Sequence, residues 1–285
     1  MGSRKVRRTI FRRLLVLALL GFVIFWAFLR TDHHFKAKAA TPTAATVKPV
    51  TATAIASMGT NINNLINANS NVDIAVSMID LKTNQAYNYG VNDVFEGASV
   101  GKLFAAGAYL KEVENGQASL SDSLGDDTAQ NQMETMIVNS DDNAWQLFYD
   151  QIGDSGLDSY VQSIGITDYD ADANTFQASD AALFLQKLYE GQLFNQSDTQ
   201  LLMGYLAQAN YTDYIVSAVP QGVKVYHKAG ILDDRIHDAA IIDDGKHPYV
   251  LVIFTNGHGT YDDTVRTQLL RDITQSTVNT FIKNP

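Results

Sequence analysis

The 285-residue chain is 46% hydrophobic and has no cysteine. It can therefore bury a sizeable core, as one large domain or two small ones, but has neither disulfides nor thiol chemistry. Its net charge of −10 is unevenly spread: residues 1–50 carry ten Lys/Arg against one acid, Asp32, and residues 51–285 carry eleven against thirty. A body this acidic excludes nucleic acid as a partner.

The basic excess has a location. Arg4, Lys5, Arg7, Arg8, Arg12 and Arg13 precede the uncharged run LLVLALLGFVIFWAFL, Leu14 to Leu29. Such a run is short for a spanning helix and long for a signal-peptide core, and its basic flank stays inside while the rest is exported. The sequence thus predicts a cytoplasmic basic segment and transmembrane signal anchor over 1–29, with the body outside the cell. Cleavage at Ala37-Lys38-Ala39 would instead release a secreted protein. Residues 30–53, rich in Ala, Thr and Pro, read as a flexible tether, and 54–285 as the folded domain.

Within that domain the hydrophobic spacing predicts a first helix over Ile55–Asn67. A hairpin follows, built on Val72–Ile79 and turning near Lys82–Gln85. An apolar helix follows Phe95, then a polar loop over Asn115–Asp127. Helices are predicted at Met133–Asn139, Ala144–Ile152, Leu157–Ile164, Ser179–Tyr189 and Asp198–Ala209. Strands follow at Val223–Ala229, Ile236–Ile242 and Tyr249–Asn256, and a closing helix at Asp262–Ile282. Strands at both ends with helices between them imply one antiparallel sheet, completed late, with an inserted helical part. A cleft between the two parts is the natural place for a site.

The stretch FEGASVGKLFAAGAYL, Phe95 to Leu110, supplies chemistry for such a cleft. Ser99 and Lys102 stand three residues apart on one face of a buried helix start, with Gly97 and Ala98 leaving room for a tight entry. A serine alcohol becomes a nucleophile when a base takes its proton, and a desolvated lysine can be that base. The alternative is Ser99 as a helix N-cap. Two further clusters follow. One is Ser140-Asp141-Asp142-Asn143, between two predicted helices. The other is His227-Lys228-Ala229-Gly230, in the first late strand, with Arg235 at the start of the next.

In that order, SVGK (Ser99–Lys102), SDD (Ser140–Asp142) and KAG (Lys228–Gly230) resemble the S-x-x-K, S-D-N and K-T-G set of class A β-lactamases and penicillin-binding proteins. The stretches MIVNSDDNAW, TFQASDAALFLQKL and KAGILDDRIHDAAII add to the resemblance, which covers about residues 55–283. It implies an α/β (α+β) fold: an antiparallel sheet flanked by helices, plus an inserted all-helical subdomain. It implies that Ser99 is acylated, that Lys102 is its base or relay, and that Ser140 passes a proton to the departing nitrogen. Lys228 would hold a substrate carboxylate, with Arg235 as a second anchor. Ala229, Gly230 and Ile231 would form the edge along which the substrate lies, and the Ser99 and Ile231 N–H groups the oxyanion hole.

Three departures qualify those roles. Asp142 puts an anion where the family offers an amide, with Asn143 one place later as an alternative supplier of that amide. Ala229 has no hydroxyl. The segment ITDYDADANTFQA, between Gly165 and Ser179, lacks the glutamate that activates the deacylating water. Asp168, Asp170 and Asp172 are its only carboxylates. The expected protein is a monomeric, membrane-tethered serine hydrolase acting on a β-lactam or a peptidoglycan-peptide amide, slow to deacylate. The alternatives are a D,D-peptidase-like enzyme or a scaffold that binds without turnover. No cofactor or metal is expected: His227 and His237 lack ligand spacing and read as packing residues. Acidic pairs such as Asp233-Asp234 read as solvated turns.

Overall fold

Residues 49–261 and 263–284 are described in the computed structural model, all within one unit. The predicted anchor, Leu14–Leu29, and most of the predicted tether lie outside the described residues. Among those described, no helix is long and apolar enough to cross a membrane.

In chain order, α1 (Ala52–Ala68) leads into β1 (Asp73–Asp80) and β2 (Gln85–Gly90), then a two-residue strand β3 (Phe95–Glu96), a 3-10 turn (Ala98–Gly101) and α2 (Lys102–Glu114). The segment read as a polar loop contains a small hairpin, β4 (Ser123–Leu124) and β5 (Asp127–Thr128). Next come α3 (Ala129–Val138), α4 (Asp142–Ser163), β6 (Thr175–Phe176), α5 (Ala178–Tyr189), α6 (Gln196–Leu206) and α7 (Ile215–Ala218). The chain closes with β7 (Lys224–Leu232), β8 (Arg235–Asp243), β9 (Tyr249–Asn256), α8 (Asp263–Val278) and a π-helical turn over Asn279–Lys283.

The five long strands form one sheet in the order β2-β1-β9-β8-β7, every neighbouring pair antiparallel. Its central strands are buried on both faces and so read as continuous apolar runs rather than alternating ones. One face packs on Met58 and Ile62 of α1, Leu270 and Ile273 of α8, and Phe281. The other face packs on the helical segment inserted between β2 and β7, whose buried residues include Phe104 and Tyr109 of α2 and Phe184 of α5. The predicted architecture of a sheet with a helical insert is the observed one.

Two local differences have physical causes. The predicted helices Ala144–Ile152 and Leu157–Ile164 run together in α4 across a break at Gly153 (φ 69°, ψ 165°), a conformation glycine adopts without steric cost. Asp234, read as part of a solvated turn, is buried. Its carboxylate accepts the Gly259 N–H and lies 3.3 Å from Arg235 Nη1. The Gly259 bond, more than the nearby guanidinium groups, holds the Asp234 carboxyl below its ordinary range.

The short pairing of β3 with β6 positions the site. Phe95 stands opposite Phe176 and Glu96 opposite Thr175, clipping the segment before the 3-10 turn to the loop before α5. Phe176 is wedged edge-on between Phe104 (4.9 Å) and Phe254 (5.6 Å). Gly97 lies flat on this ring: a Cβ there would come within 2.1 Å of Phe176 Cε1. Its φ of −82° suits any residue, so the glycine is required for space alone. Gly97→Ala is therefore expected to cost about 2–3 kcal/mol of unfolding free energy through overpacking, read from the denaturant midpoint.

Candidate active site

The polar cluster starts from a strained turn. Ala98 has φ 46°, a left-handed conformation costly for a residue with a Cβ. Two side chains hold it there. Glu96 Oε1 accepts the Ala98 N–H (3.0 Å), and Asn174 Nδ2 donates to the Ala98 carbonyl (3.0 Å) and to Glu96 Oε1 (3.2 Å). The Gly97 N–H closes the clamp on the Asn174 carbonyl (2.8 Å). Ser99 thus sits within a braced 3-10 turn rather than at a helix N-cap, with its side chain partly exposed.

Lys102, the first residue of α2, is fully buried. Its Nζ donates to Ser99 Oγ (3.0 Å), to the Ser140 carbonyl (2.6 Å) and to Asp142 Oδ1 (2.5 Å), and lies 3.5 Å from Ser140 Oγ. Trp145, one turn along α4, presents its ring 5.2 Å away. Burial lowers the Lys102 pKa and outweighs the opposing pull of Asp142. A lysine that sheds its proton more readily than usual is what deprotonating Ser99 requires.

Ser140 is the second strained residue, with φ 59° between α3 and α4. Its carbonyl is tied to Lys102 and its hydroxyl accepts from Lys228 Nζ at 2.7 Å. Two lysines on one serine over-determine a conformation that the backbone alone disfavours. Asp141 caps α4, its carboxylate accepting the Ala144 N–H (2.8 Å).

Lys228 lies on β7, an edge strand of the sheet, and is buried. Its Nζ also donates to the Ala229 carbonyl (3.1 Å). Burial, followed by the charge on Lys102, brings its pKa down to about 7. Gly230 brings β7 against the serine turn: a Cβ there would lie 3.0 Å from the Gly97 carbonyl and 3.1 Å from Ala98 Cβ. Ile231, next along the edge, is exposed.

The structure therefore brings together Ser99, Lys102, Ser140, Asp142 and Lys228, with Ala229 and Gly230 alongside. Two candidates fall outside the cluster. Asn143 is exposed and makes no side-chain hydrogen bond among the described residues, so position 142, not 143, faces Lys102. The chain enters α4 in the unshifted register. Arg235 stands between Glu96 Oε2 (3.5 Å) and Asp234 Oδ1 (3.3 Å), with no hydrogen bond to Lys228 or Ser140. Its charge is already matched by two carboxylates.

The three aspartates of the 165–179 segment make no hydrogen bond to the cluster among the described residues. Asp168 accepts from Gln177 Nε2 (3.3 Å), Asp170 accepts the Ala173 N–H (3.0 Å), and none bonds to Ser99 or Lys102. Glu96 and Asn174, which brace the turn, were not singled out by the sequence. Their only signal was position, a carboxylate just before the serine turn and an asparagine in the loop that pairs with it. No cluster of three or more His, Asp or Glu able to hold a metal occurs among the described residues.

Behind Lys228, the adjacent His227 is buried, with Nδ1 3.0 Å from Asp238 Oδ1 and Nε2 3.2 Å from the Ala209 carbonyl. Both partners can only accept, so both ring nitrogens carry protons. Burial opposes that charge, but Asp238 prevails and raises the His227 pKa. The other oxygen of Asp238 accepts the Ile215 N–H (3.1 Å). This pair ties the 209–215 segment to the strand that carries Lys228.

Because the Lys228 ammonium exists mainly below about pH 7, its attraction for a substrate carboxylate weakens as pH rises through that value. Acylation of a carboxylate-bearing β-lactam needs Lys102 neutral and Lys228 charged, so the alkaline limb of the second-order rate constant is expected near pH 7, since kcat/KM reports the free enzyme. Lys228→Arg, which keeps its charge, should remove that limb.

A serine whose alcohol meets a buried lysine, flanked by a second serine and an edge-strand lysine, is a site of the serine–lysine hydrolase class. The sequence model of the Beta-lactamase2 family, described as "Beta-lactamase enzyme family", matches residues 57–281, and the chain belongs to that family. No curated protein matches it at the sequence level. Among solved structures it is similar to "Structure of PBP-A", with a TM-score of 0.74 and 20% identity over 80% of this chain and 96% of that one. A mutant of PBP-A solved as an acyl-enzyme complex with penicillin-G also gives a TM-score of 0.74, with 20% identity over 80% of this chain and 97% of the other. A β-lactamase from Xanthomonas campestris gives a TM-score of 0.74 at 18% identity, over 80% of this chain and 98% of that one. At these identities the likeness establishes the fold.

Proposed function

We propose that this protein is a membrane-tethered, extracellular serine hydrolase that is acylated on Ser99 by a β-lactam or a cell-wall peptide amide and is slow to release the acyl group. The observation that carries this reading is the buried Lys102 Nζ, 3.0 Å from Ser99 Oγ. In its neutral form Lys102 accepts the Ser99 proton as Ser99 Oγ attacks the substrate carbonyl carbon. The carbonyl–nitrogen bond then breaks. The proton reaches the departing nitrogen through Ser140 Oγ, which lies within reach of both lysines. Net, one C–N bond is exchanged for one C–O bond, and the serine proton ends on nitrogen.

Release requires a water molecule activated against the Ser99 ester. Among the described residues no carboxylate of the 165–179 segment is hydrogen-bonded to Ser99 or Lys102, which supports slow release. Misplacement of about 1 Å already costs roughly a hundredfold. The basic N-terminal segment and the apolar run after it support the membrane tether. The likeness to a protein crystallised as a penicillin acyl-enzyme supports the β-lactam as acyl donor.

Stopped-flow mixing with a chromogenic cephalosporin tests the proposal. The expected trace is a burst of about one equivalent per active site followed by a slow phase, the signature of an accumulating acyl-enzyme. A fast, linear steady state with no burst would contradict slow release.

A further inference from the structure

One residue of the 165–179 segment does reach the serine turn. Asn174 Nδ2 donates to the Ala98 carbonyl (3.0 Å) and to Glu96 Oε1 (3.2 Å). Both partners are acceptors, which fixes the amide with its nitrogen toward the turn. The other end of the amide carries a cost: Asn174 Oδ1 is buried without a hydrogen-bond partner among the described residues. A buried, unsatisfied oxygen destabilises a fold, so what Asn174 contributes lies in its two donated bonds. Gly101 makes room for the side chain, since a Cβ there would come within 2.0 Å of Asn174 Oδ1.

Peptide geometry determines what those bonds fix. The Ala98 carbonyl and the Ser99 N–H belong to one planar trans unit and point to opposite sides of it. Glu96 Oε1 holds the peptide unit before Ala98 through its N–H (3.0 Å), and Asn174 holds the unit after it. Arg235 Nε, 3.5 Å from Glu96 Oε2, steadies the brace from the sheet. With both units held, the left-handed Ala98 keeps its conformation and the direction of the Ser99 N–H is set. A hydrogen bond to the carbonyl also polarises the N–H at the other end of the same unit. Among the described residues no hydrogen bond engages that N–H. It is a free donor on the nucleophile's own residue. As Ser99 Oγ attacks, the substrate carbonyl oxygen becomes negative, and a donor already aimed at it needs no reorganisation.

Resting on the acyl-enzyme reading above, we propose that Asn174 is a positioning residue for acylation: by holding the Ala98 carbonyl it aims the Ser99 N–H at the oxygen that turns negative in the transition state. The 165–179 segment thereby serves the formation of the acyl-enzyme through an amide.

The test compares the full-length wild type with Asn174→Asp, using benzylpenicillin isotope-labelled at its β-lactam carbonyl. Aspartate keeps the shape of asparagine and tolerates its left-handed φ of 49°, but its carboxylate has no proton to give. Two quantities are read: the acylation rate of Ser99 by intact mass, and the infrared stretch of the labelled ester carbonyl in the acyl-enzyme. The limiting acylation rate is expected to fall about a hundredfold with the half-saturating concentration little changed, because the oxyanion contact forms only in the transition state. The ester band should move to higher frequency, since a hydrogen bond to a carbonyl lowers its stretch. A merely structural loss would not move the band. Asn174→Gly, for which φ 49° is free of strain, carries the same expectation and replaces Asn174→Asp if that variant does not fold. Wild-type acylation in the variant, or slowed acylation with an unmoved band, would overturn the positioning role and leave the acyl-enzyme reading standing. Absence of a Ser99 adduct in the wild type would overturn both.

Discussion

Lys102→Met is expected to slow acylation of Ser99 by about 10³-fold, within the range that loss of a positioned general base produces. The distances make this a base effect, because Nζ is 3.0 Å from Ser99 Oγ and the side chain is sealed from solvent. Methionine fills a similar volume, so the core around Phe104 and Tyr109 should remain intact. Far-UV circular dichroism and the unfolding midpoint check that. The variant also removes the cation that helps to lower the Lys228 pKa, so the alkaline fall in rate should move upward from about pH 7 in whatever activity remains. A variant that folds and acylates at wild-type speed would show that another group deprotonates Ser99. Lys228 would be the first to consider.

The second large effect is on stability in acid, through His237. This side chain is fully buried, with Nε2 donating to the Glu96 carbonyl (2.9 Å) and Nδ1 accepting the Thr255 N–H (3.1 Å). One nitrogen donates and the other accepts, so the ring is neutral, and burial brings its pKa down to about 4. The unfolded chain binds this proton near pH 6.5 and the folded protein only near pH 4. The unfolded state therefore takes up more protons in that window, and stability falls as pH drops through it. The loss amounts to roughly 3 kcal/mol at completion.

His227 has the opposite sign. Its raised pKa gives a contribution that is complete below the unfolded value and disappears as pH rises through the folded one, outside the His237 window. Chemical denaturation of the wild type and His237→Gln between pH 7 and 4 separates the two. The variant should be weaker at pH 7, through the lost hydrogen bonds, but should lose markedly less stability on acidification. Parallel slopes would show that other groups set the acid limit. Protonation places the new hydrogen on Nδ1, against the Thr255 N–H, and leaves the Nε2 bond to the Glu96 carbonyl in place.

The sequence exposed those features that repeat locally. The central strands were legible because β-branched and apolar runs such as YVLVIF leave few alternatives. The α2 helix was legible because its residues are apolar on every side. Ser99 and Lys102 could be paired from spacing alone, since i and i+3 share a helical face. The pairing of Ser140 with Lys228 across 88 residues could not be read this way. It came only from motif order.

What was missed depends on contacts distant in sequence. The β3–β6 clip is two residues long, too short for any periodicity, and is held by Phe176 packing between α2 and the sheet. The clamp of Glu96 and Asn174 on Ala98 arises from that clip. Arg235 read as a second carboxylate anchor in the sequence, where nothing local shows that Glu96 and Asp234 converge on it. Asp234 looked solvated because acidic pairs in turns usually are, yet the Gly259 amide and the Arg266 guanidinium meet it from the far end of the chain.

The central claim is an acyl-enzyme on Ser99 that outlasts its formation. The most direct measurement is the intact mass of the protein incubated with benzylpenicillin, followed over time beside Ser99→Ala. The account predicts a single added penicilloyl group that persists for minutes or longer and is absent from the variant. A Ser99-dependent disappearance of penicillin with no adduct accumulating, or an adduct that forms equally on Ser99→Ala, would contradict it.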